Sequence, residues 1–493
     1  MRGRLNLAWL LGVLVVVIGI GSSMDARAAD GDVIWDGVIQ VPGVELGFSL
    51  TLTPAGEDGW SGALSIPMQG LDGAVVSELV VSETGLDFIL ALPGMPEGSI
   101  PRFDLEIDES GAKASGLMTQ AGATFPVTLE IQSAEEAAAA AAALRPQTPV
   151  GPFVYRTVEV KVPVAVEDGE GHTLAGTLVL PEAGEFGDGP YACAVFLTGS
   201  GPQDRDEMIF GHRPFAVIAD ALAKAGVASL RCDERGIGES TGDFALAASH
   251  EFAADALAQV GFARERAEID AGRVGLIGHS EGGLTAAIVA ADNADVAFVV
   301  SLAGMGLTGR ETLIGQSAAA MRLGGAPEAF IARNSELAGL LYDAVGAGAP
   351  YEEQLAAMRE LVLHQMGMQA MGLPEDELAE LVRGFMAPMD TAWMHVLLTI
   401  DPADYLRRVR QPVLVMNGEL DIQVLPDTNL EAITAALDAA GNEDVTVHRL
   451  PGLNHLFQNA ETGAMEEYAA IRETFDPAAL RIVVDWVVSK NGR

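Results

Sequence analysis

The sequence has 493 residues, of which 69 are acidic and 29 are basic, so its formal net charge is −40. A chain this acidic is repelled by nucleic acid and by anionic membranes, which excludes functions that depend on binding them. Hydrophobic residues make up 49% of the chain, and the length predicts two to four domains with sizeable cores.

The N-terminus predicts an exported protein. Arg2 and Arg4 precede an apolar run, residues 5–20, and residues 26–28 (Ala-Arg-Ala) have the pattern of a signal-peptidase site. The run is shorter than the roughly 20 residues that a membrane span needs. We therefore expect residues 1–28 to be a cleaved signal peptide. The mature chain is then periplasmic or secreted, without stable membrane insertion; an uncleaved anchor is the alternative.

Only two cysteines occur, which excludes a disulfide scaffold. We place Cys193 early in one predicted strand and Cys232 at the far end of a neighbouring one. That offset puts their Cα atoms beyond disulfide reach, so two buried free thiols are expected.

Residues 29–133 alternate apolar and polar side chains in short runs separated by Gly and Pro. This pattern is typical of an antiparallel β barrel or sandwich. Without His or Cys, the segment is expected to be an accessory domain that packs against the rest; binding a ligand or shielding an active site is the alternative. The clearest runs are residues 47–52, 86–90, 103–107 and 125–131.

Residues 134–152 read as a linker, Ala-rich at first and Pro-rich afterwards. From residue 153 short apolar strands alternate with helical stretches, which predicts a mostly parallel sheet with helices on both faces. In such sheets the chemistry collects at the carboxyl ends of the strands. The predicted strands are residues 155–166, 172–180, 192–197, 227–231, 273–277, 296–303, 412–416 and 445–450.

A long helical insertion, residues 304–400, follows one of these strand ends and is expected to cap the pocket. It is rich in methionine, and an adaptable apolar cap suits an acyl or aromatic substrate. Alternatively, the methionines simply pack the core of the cap. They are Met305, Met321, Met358, Met366, Met368, Met371, Met386, Met389 and Met394.

The strongest motif is Gly-His-Ser-Glu-Gly-Gly at residues 278–283, between an apolar strand and a helix-forming stretch. A serine at a strained strand–turn–helix tip is the layout of a nucleophile elbow, G-x-S-x-G. Small residues at Gly278 and Gly282 let the two backbones approach closely. The motif predicts Ser280 as a nucleophile, whereas an ordinary Gly-rich turn is the alternative.

A serine nucleophile needs a base, and the base needs an acid that orients it. Asp421 follows one late strand and His455 follows the last, in the order Ser, Asp, His. Glu419 is the alternative acid, although it lies closer to the strand. His279 is expected to pack away from the hydroxyl. The other histidines lack the required placement: His172, His212, His250, His364, His395 and His448.

Acyl transfer also needs donors for the oxyanion. We assign the backbone N–H of Glu281 and that of Ser200, with Gly201 as the alternative to Ser200. Arg205 is expected to pair with a neighbouring carboxylate, and Asp233 and Arg235 to form structural salt bridges. No paired His/Cys spacing or dinucleotide fingerprint occurs, so we expect no metal and no cofactor.

Residues 153–493 resemble bacterial alpha/beta-hydrolase esterases of the serine-aminopeptidase and dienelactone-hydrolase-like branch. Five short segments carry the resemblance. The resemblance implies a carboxylic-ester hydrolase with Ser280, Asp421 and His455 as its triad. Cys232 departs from the family, which more often has an aromatic residue there; the difference concerns packing. The matching pieces are residues 197–206, 231–238, 278–283, 417–421 and 453–457.

The N-terminal segment resembles a β-rich module found ahead of such hydrolases, through residues 65–70 and 116–120. The leading hypothesis is an exported serine carboxylic-ester hydrolase that acts on small or medium acyl esters through an acyl-enzyme. A serine peptidase or amidase with the same triad is the alternative, and a non-catalytic ligand-binding envelope protein is the third reading. The predicted organisation is a signal peptide (1–28), a β accessory domain (29–133), a linker (134–152) and a hydrolase domain (153–493) with its cap (304–400).

Overall fold

The computed structural model describes residues 33–490 apart from short segments. The predicted signal peptide lies outside the described residues, as do Met368 and Met371. Among the helices that are described, none is both long and apolar enough to span a membrane. The segments not described are residues 42–43, 56–59, 67–70, 83, 91–99, 109–110, 121–122, 133–144, 167–170 and 368–372.

The first strands form one antiparallel sheet. The order is β4-β3-β2-β1-β9-β8-β7-β6-β5, so chain neighbours pair and β1 also pairs with β9. Its two ends approach each other, because the Val76 N–H donates to the Gly62 carbonyl at 2.9 Å. The sheet thus curls into a nearly closed barrel. The sequence predicted either a barrel or a sandwich, and the barrel is the form observed. The strands are β1 (Val33–Val41), β2 (Val44–Pro54), β3 (Trp60–Ile66), β4 (Leu71–Val75), β5 (Ser77–Val81), β6 (Gly85–Ile89), β7 (Arg102–Ile107), β8 (Lys113–Gln120) and β9 (Ala123–Gln132).

The alternation in the sequence decides which side chains fill the barrel. In β7, Phe103 and Leu105 are at most 1% exposed, whereas Asp104 between them faces solvent. The Phe103 ring stacks on Phe88 with the centroids 4.3 Å apart. Successive side chains of a strand point to opposite faces, so the period-two pattern produces one apolar and one polar face.

The second sheet contains eight strands in the order β10-β11-β13-β12-β14-β15-β16-β17. β11 pairs antiparallel with β10 and β13, and the remaining neighbours pair in parallel. The predicted mostly parallel sheet is confirmed. Its strands are β10 (Arg156–Val164), β11 (His172–Leu180), β12 (Tyr191–Leu197), β13 (Ala228–Cys232), β14 (Ile269–His279), β15 (Val299–Leu302), β16 (Val413–Gly418) and β17 (Val445–Leu450).

Helices cover both faces of this sheet. Leu276 and Ile277, neighbours in β14, point into different cores. The core around Leu276 includes side chains of α3, α4 and α11, and that around Ile277 includes side chains of α2 and α12. The helices are α1 (Ala183–Phe186), α2 (Pro214–Lys224), α3 (Ser249–Arg264), α4 (Glu281–Asp292), α5 (Gly309–Leu323), α6 (Glu328–Gly346), α7 (Tyr351–Met366), α8 (Glu375–Met386), α9 (Ala392–Thr399), α10 (Pro402–Leu406), α11 (Pro426–Ala439) and α12 (Pro477–Lys490).

Helices α5 to α9 form the cap, which is inserted between β15 and β16. Four of its methionines fill its own core, in agreement with the packing alternative: Met358, Met386, Met389 and Met394. Met321 and Met305 are also buried, the latter in a separate small cluster with Leu397 and Val424. Strand order, helices on both faces and the cap together make this the alpha/beta-hydrolase fold, as the sequence predicted.

Both cysteines are buried free thiols, as predicted. Cys193 lies beside Ala228 at the start of β13, whereas Cys232 lies at its end, beside Gly176. The two thiols therefore sit at opposite ends of adjacent strands, and burial raises the pKa of Cys193 to about 12.

Part of the predicted linker is docked rather than extended. Arg145 is only 3% exposed, and its guanidinium donates to the carbonyl groups of Phe210 at 2.7 Å and of Ala469 and Ile471 at 2.9 Å. A run of Ala followed by Pro gives no sign of this, because the acceptors lie 65 positions away for Phe210 and more than 300 positions away for Ala469 and Ile471.

We expect Arg145→Met to lower the free energy of unfolding by about 2–4 kcal/mol, because three half-buried carbonyl groups lose a charged donor. Urea unfolding of the purified protein measures this. The control is Arg156→Met, whose side chain is 61% exposed and pairs with Glu268 at 3.2 Å; its effect should stay within about 0.5 kcal/mol. Equal effects of the two changes would contradict a structural role for Arg145.

Candidate active site

The serine of the elbow sits where a strained turn joins β14 to α4. Ser280 has φ +54° and ψ −118°, a conformation that residues with a side chain rarely adopt. A Cβ on Gly278 would overlap the Gly282 carbonyl, and one on Gly282 would overlap the Leu197 carbonyl. The two glycines are required for the close approach, and the turn presents Ser280 beyond the end of the sheet.

The candidate base and acid are hydrogen-bonded to each other. His455 Nδ1 donates to Asp421 Oδ2 at 2.8 Å, and both side chains are at least 95% buried. Asp421 Oδ1 also accepts the backbone N–H groups of Gln423 at 2.8 Å and Val424 at 2.9 Å. These bonds fix the carboxylate, which in turn holds the imidazole with its Nε2 atom available.

The alternative acid lies elsewhere. The Glu419 side chain is 45% exposed and approaches Arg449 at 3.7 Å. Asp421 is therefore the carboxylate that the fold brings to His455.

Packing at the elbow places His455 against His279, the residue that precedes the serine. The imidazole rings of His279 and His455 lie 4.6 Å apart, and His279 Nε2 donates to the His455 carbonyl at 3.0 Å. His279 immediately precedes Ser280, so the histidine loop is bound directly to the end of β14. Asp421 and His455 thus pair beside the elbow at the carboxyl edge of the sheet, and among the described residues no hydrogen bond joins the Ser280 hydroxyl to His455.

Free backbone donors surround the serine. In the described part of the chain, the N–H groups of Ser200, Gly201 and Glu281 donate to no acceptor. A Cβ built on Gly199 would lie 3.3 Å from the Ser280 Cβ, so the loop passes against the serine. The arrangement fits an oxyanion hole made by Glu281 with either Ser200 or Gly201.

Carboxylates hold this loop in place. Glu207 Oε1 accepts the Gly199 N–H at 2.6 Å. Glu234 accepts the Thr198 hydroxyl at 2.5 Å and the Gln203 N–H at 3.1 Å. Desolvation raises the pKa of Glu234 well above its usual value.

The ion pairs predicted around the loop are present. The Arg205 guanidinium bonds Asp233 at 2.7 and 2.9 Å, and Arg235 bonds Asp255 at 2.8 Å. Arg205 also reaches Glu159 at 2.6 Å. The Arg205–Asp233 pair ties the loop after β12 to the loop after β13, whereas the Arg235–Asp255 pair ties the latter to α3.

The side chain of Glu281 connects the elbow to the cap. Its buried carboxylate accepts the Trp393 indole N–H at 2.9 Å and the Ser249 hydroxyl at 2.7 Å. Burial raises the pKa of Glu281. Sequence reasoning assigned a role only to its backbone, and neither partner could be identified because both are distant in sequence.

The remaining histidines are engaged elsewhere. His172 Nε2 bonds Asp255 at 2.8 Å, and buried His212 lies between the Thr474 hydroxyl and the Tyr468 carbonyl. Burial lowers the pKa of His212 to about 4. The four others lie on α3, β17 and the cap helices α7 and α9: His250, His448, His364 and His395.

A pocket borders the donor loop, between Ser200, Glu234 and Glu281. A second pocket lies within the cap. Its lining is mostly apolar with a few amides, and includes Leu313, Gln316, Ala320, Asn334, Tyr342, Met358 and Met389. Leu313 also packs against a small apolar cluster of Met305, Leu397 and Val424, as does Trp393.

Solved structures with a similar fold include two esterases. One from Pyrococcus furiosus is 16% identical and covers 70% of this chain and 97% of its own, with a TM-score of 0.40. The other, Est1E from Butyrivibrio proteoclasticus with ferulic acid bound, is 18% identical, covers 67% of this chain and 96% of its own, and has a TM-score of 0.38.

At the level of sequence, the chain is 28% identical over 290 residues to esterase EstD of Thermotoga maritima. The alignment covers 58% of this chain and 59% of that protein. The match thus spans about three fifths of that relative. Residues 212–339, which include the elbow and Ser280, match the family model described as serine aminopeptidase, S33. The predicted resemblance to alpha/beta-hydrolase esterases of the serine-aminopeptidase branch is therefore confirmed.

Proposed function

We propose that this protein is an exported serine hydrolase, periplasmic or secreted, that cleaves carboxylic esters through an acyl-enzyme. The observation that carries the proposal is the buried Asp421–His455 hydrogen bond, 2.8 Å long, beside the elbow that presents Ser280. An acid, an imidazole and an elbow serine at one sheet edge have the roles of a catalytic triad.

In the first half-reaction the Ser280 oxygen attacks the ester carbonyl carbon while His455 Nε2 takes the hydroxyl proton. Asp421 stabilises the imidazolium that forms. The tetrahedral intermediate collapses as the bond to the alcohol breaks, and His455 returns its proton to the leaving alkoxide. Water then attacks the acyl-enzyme with His455 as the base, releasing the acid and the Ser280 hydroxyl.

The oxyanion is stabilised by the backbone N–H of Glu281 and that of Ser200, with Gly201 as the alternative to Ser200. Donors of this kind are fixed before the reaction and aim at charge that develops in the transition state. The bonds from Glu207 and Glu234 to the loop support this role, since they hold it without using the free N–H groups.

The cap supports a particular substrate class. Its cavity offers apolar side chains with a few neutral amides, which favours an uncharged ester with a small or medium acyl group. The relative named esterase EstD supports the same reaction.

A serine peptidase or amidase is the second candidate. The match to the serine aminopeptidase family model favours it. Assaying aminoacyl p-nitroanilides beside p-nitrophenyl esters separates the two, and turnover of the anilides alone would reverse the order.

The decisive variant is Ser280→Ala, for which we expect a loss of roughly 10⁴- to 10⁶-fold in kcat on p-nitrophenyl butyrate. The matched control is Ser200→Ala, which removes a hydroxyl but keeps the backbone N–H assigned to the oxyanion, so kcat should change less than about threefold. A fluorophosphonate probe should label the wild type and not Ser280→Ala. Equal ester turnover by the wild type and Ser280→Ala would reject the proposed function.

A further inference from the structure

A second carboxylate–imidazole pair lies behind the candidate triad. Glu207 Oε1 is 2.9 Å from His279 Nδ1, and the same oxygen accepts the Gly199 N–H at 2.6 Å. On its other side the His279 ring donates through Nε2 to the His455 carbonyl at 3.0 Å. Glu207 is 1% exposed and His279 4%, so no bulk water competes for these bonds.

The hydrogen bonds determine where the protons are. A carbonyl oxygen only accepts, so His279 Nε2 must carry a hydrogen. The bond between His279 Nδ1 and Glu207 Oε1 needs a second proton, shared between a base and a carboxylate. The pair therefore holds both protons with no net charge, which suits a buried site beside His455.

We propose that Glu207 and His279 are positioning residues that hold the oxyanion loop and the loop of the catalytic histidine in register with Ser280. The inference rests on the proposed function and extends it to residues outside the triad. One carboxylate oxygen serves both halves of the site: it binds the loop through Gly199 and, through the His279 ring, the backbone of His455.

The backbone of Glu207 supports this role. Its φ is +53°, in the left-handed region that residues with a side chain seldom occupy. The turn is held there because the Glu207 N–H donates to the Asp204 carbonyl at 3.0 Å. Asp204 Oδ1 accepts the N–H groups of Asp206 and Met208 as well. Strain of this kind persists where surrounding bonds over-determine it, and it concentrates at functional sites.

The pair also predicts a pH response. Burial alone would lower the pKa of His279, but the Glu207 carboxylate, the bond to the His455 carbonyl and the charge of Asp421 raise it above the usual 6.5. The stabilisation is fully present below pH 6.5 and is lost as the pH rises through the raised pKa. Above it, the His279 Nδ1 lone pair faces the Glu207 carboxylate and the pair opens.

Three variants test the proposal on p-nitrophenyl butyrate. Glu207→Ala should lower kcat about 10²-fold with KM changed less than about threefold, because a misplacement near 1 Å costs that much in rate. Glu207→Gln should recover part of it, since its amide oxygen can still accept the Gly199 N–H but lacks the charge that holds the proton on His279 Nδ1. The control is Glu234→Gln. The Glu234 carboxylate also holds this loop, but it forms no hydrogen bond with any of the histidines that the structure describes.

Two readouts separate positioning from general stability. The alkaline decline in kcat that the pair predicts for the wild type should persist in Glu234→Gln and disappear in Glu207→Gln. The fall in the free energy of unfolding at alkaline pH should also disappear in Glu207→Gln. Unfolding can be measured without any enzyme activity. If the wild type lacks Ser280-dependent turnover, the proposed function fails and unfolding alone decides on the pair. Normal kcat in folded Glu207→Ala, or unchanged pH dependence in Glu207→Gln, would overturn the inference.

Discussion

Asp421→Asn is expected to lower kcat on p-nitrophenyl esters by roughly 10³- to 10⁴-fold while leaving KM nearly unchanged. The amide oxygen can keep the bonds from the Gln423 and Val424 N–H groups. Its NH₂ group then faces His455 Nδ1, which must become an acceptor. The ring proton moves to Nε2, so the imidazole can no longer take the proton of Ser280. A stopped-flow or steady-state assay of the folded variant measures the loss.

Glu419→Gln is the control for this prediction, because Glu419 is the nearby carboxylate that sequence reasoning kept as an alternative acid. It faces Arg449 and is half-exposed, so kcat should stay within about twofold. A large loss in Glu419→Gln together with an active Asp421→Asn would reverse the assignment of the acid.

Gly282→Ala is expected to destabilise the elbow severely. Its Cβ would overlap the carbonyl oxygen atoms of Leu197 and Thr198, which belong to the neighbouring strand and donor loop. Backbone cannot move aside as a flexible side chain does, so we expect more than about 4 kcal/mol of destabilisation or failure to fold. Soluble yield and thermal unfolding report the effect.

Gly261→Ala makes the same chemical change where there is room. A Cβ there meets nothing within 4 Å, and Gly261 lies inside helix α3. Alanine is the better helix former by about 0.5–1 kcal/mol, so the variant should be slightly more stable than the wild type. If Gly282→Ala were as stable as Gly261→Ala, the close approach at the elbow would not be required for folding.

The sequence predicted the elements that depend on local patterns. Period-two alternation predicted strands in the first part of the chain, but pairing of β1 with β9 decided between a barrel and a sandwich. That pairing joins residues nearly a hundred positions apart, and no local pattern records it. The boundary of the linker shows the same limit, since the docking of Arg145 depends on carbonyl groups near the C-terminus.

What the sequence by itself determined is the candidate chemistry: Ser280 in an elbow whose glycines have a local steric purpose, with Asp421 and His455 each following a strand. The carboxyl ends of parallel strands meet at one edge, so placement along the chain was enough to bring these residues together. Only the tertiary structure decided what holds them. Glu207 meets His279 and Trp393 meets Glu281 across 72 and 112 residues, because side-chain direction and close packing, rather than periodicity, determine such contacts.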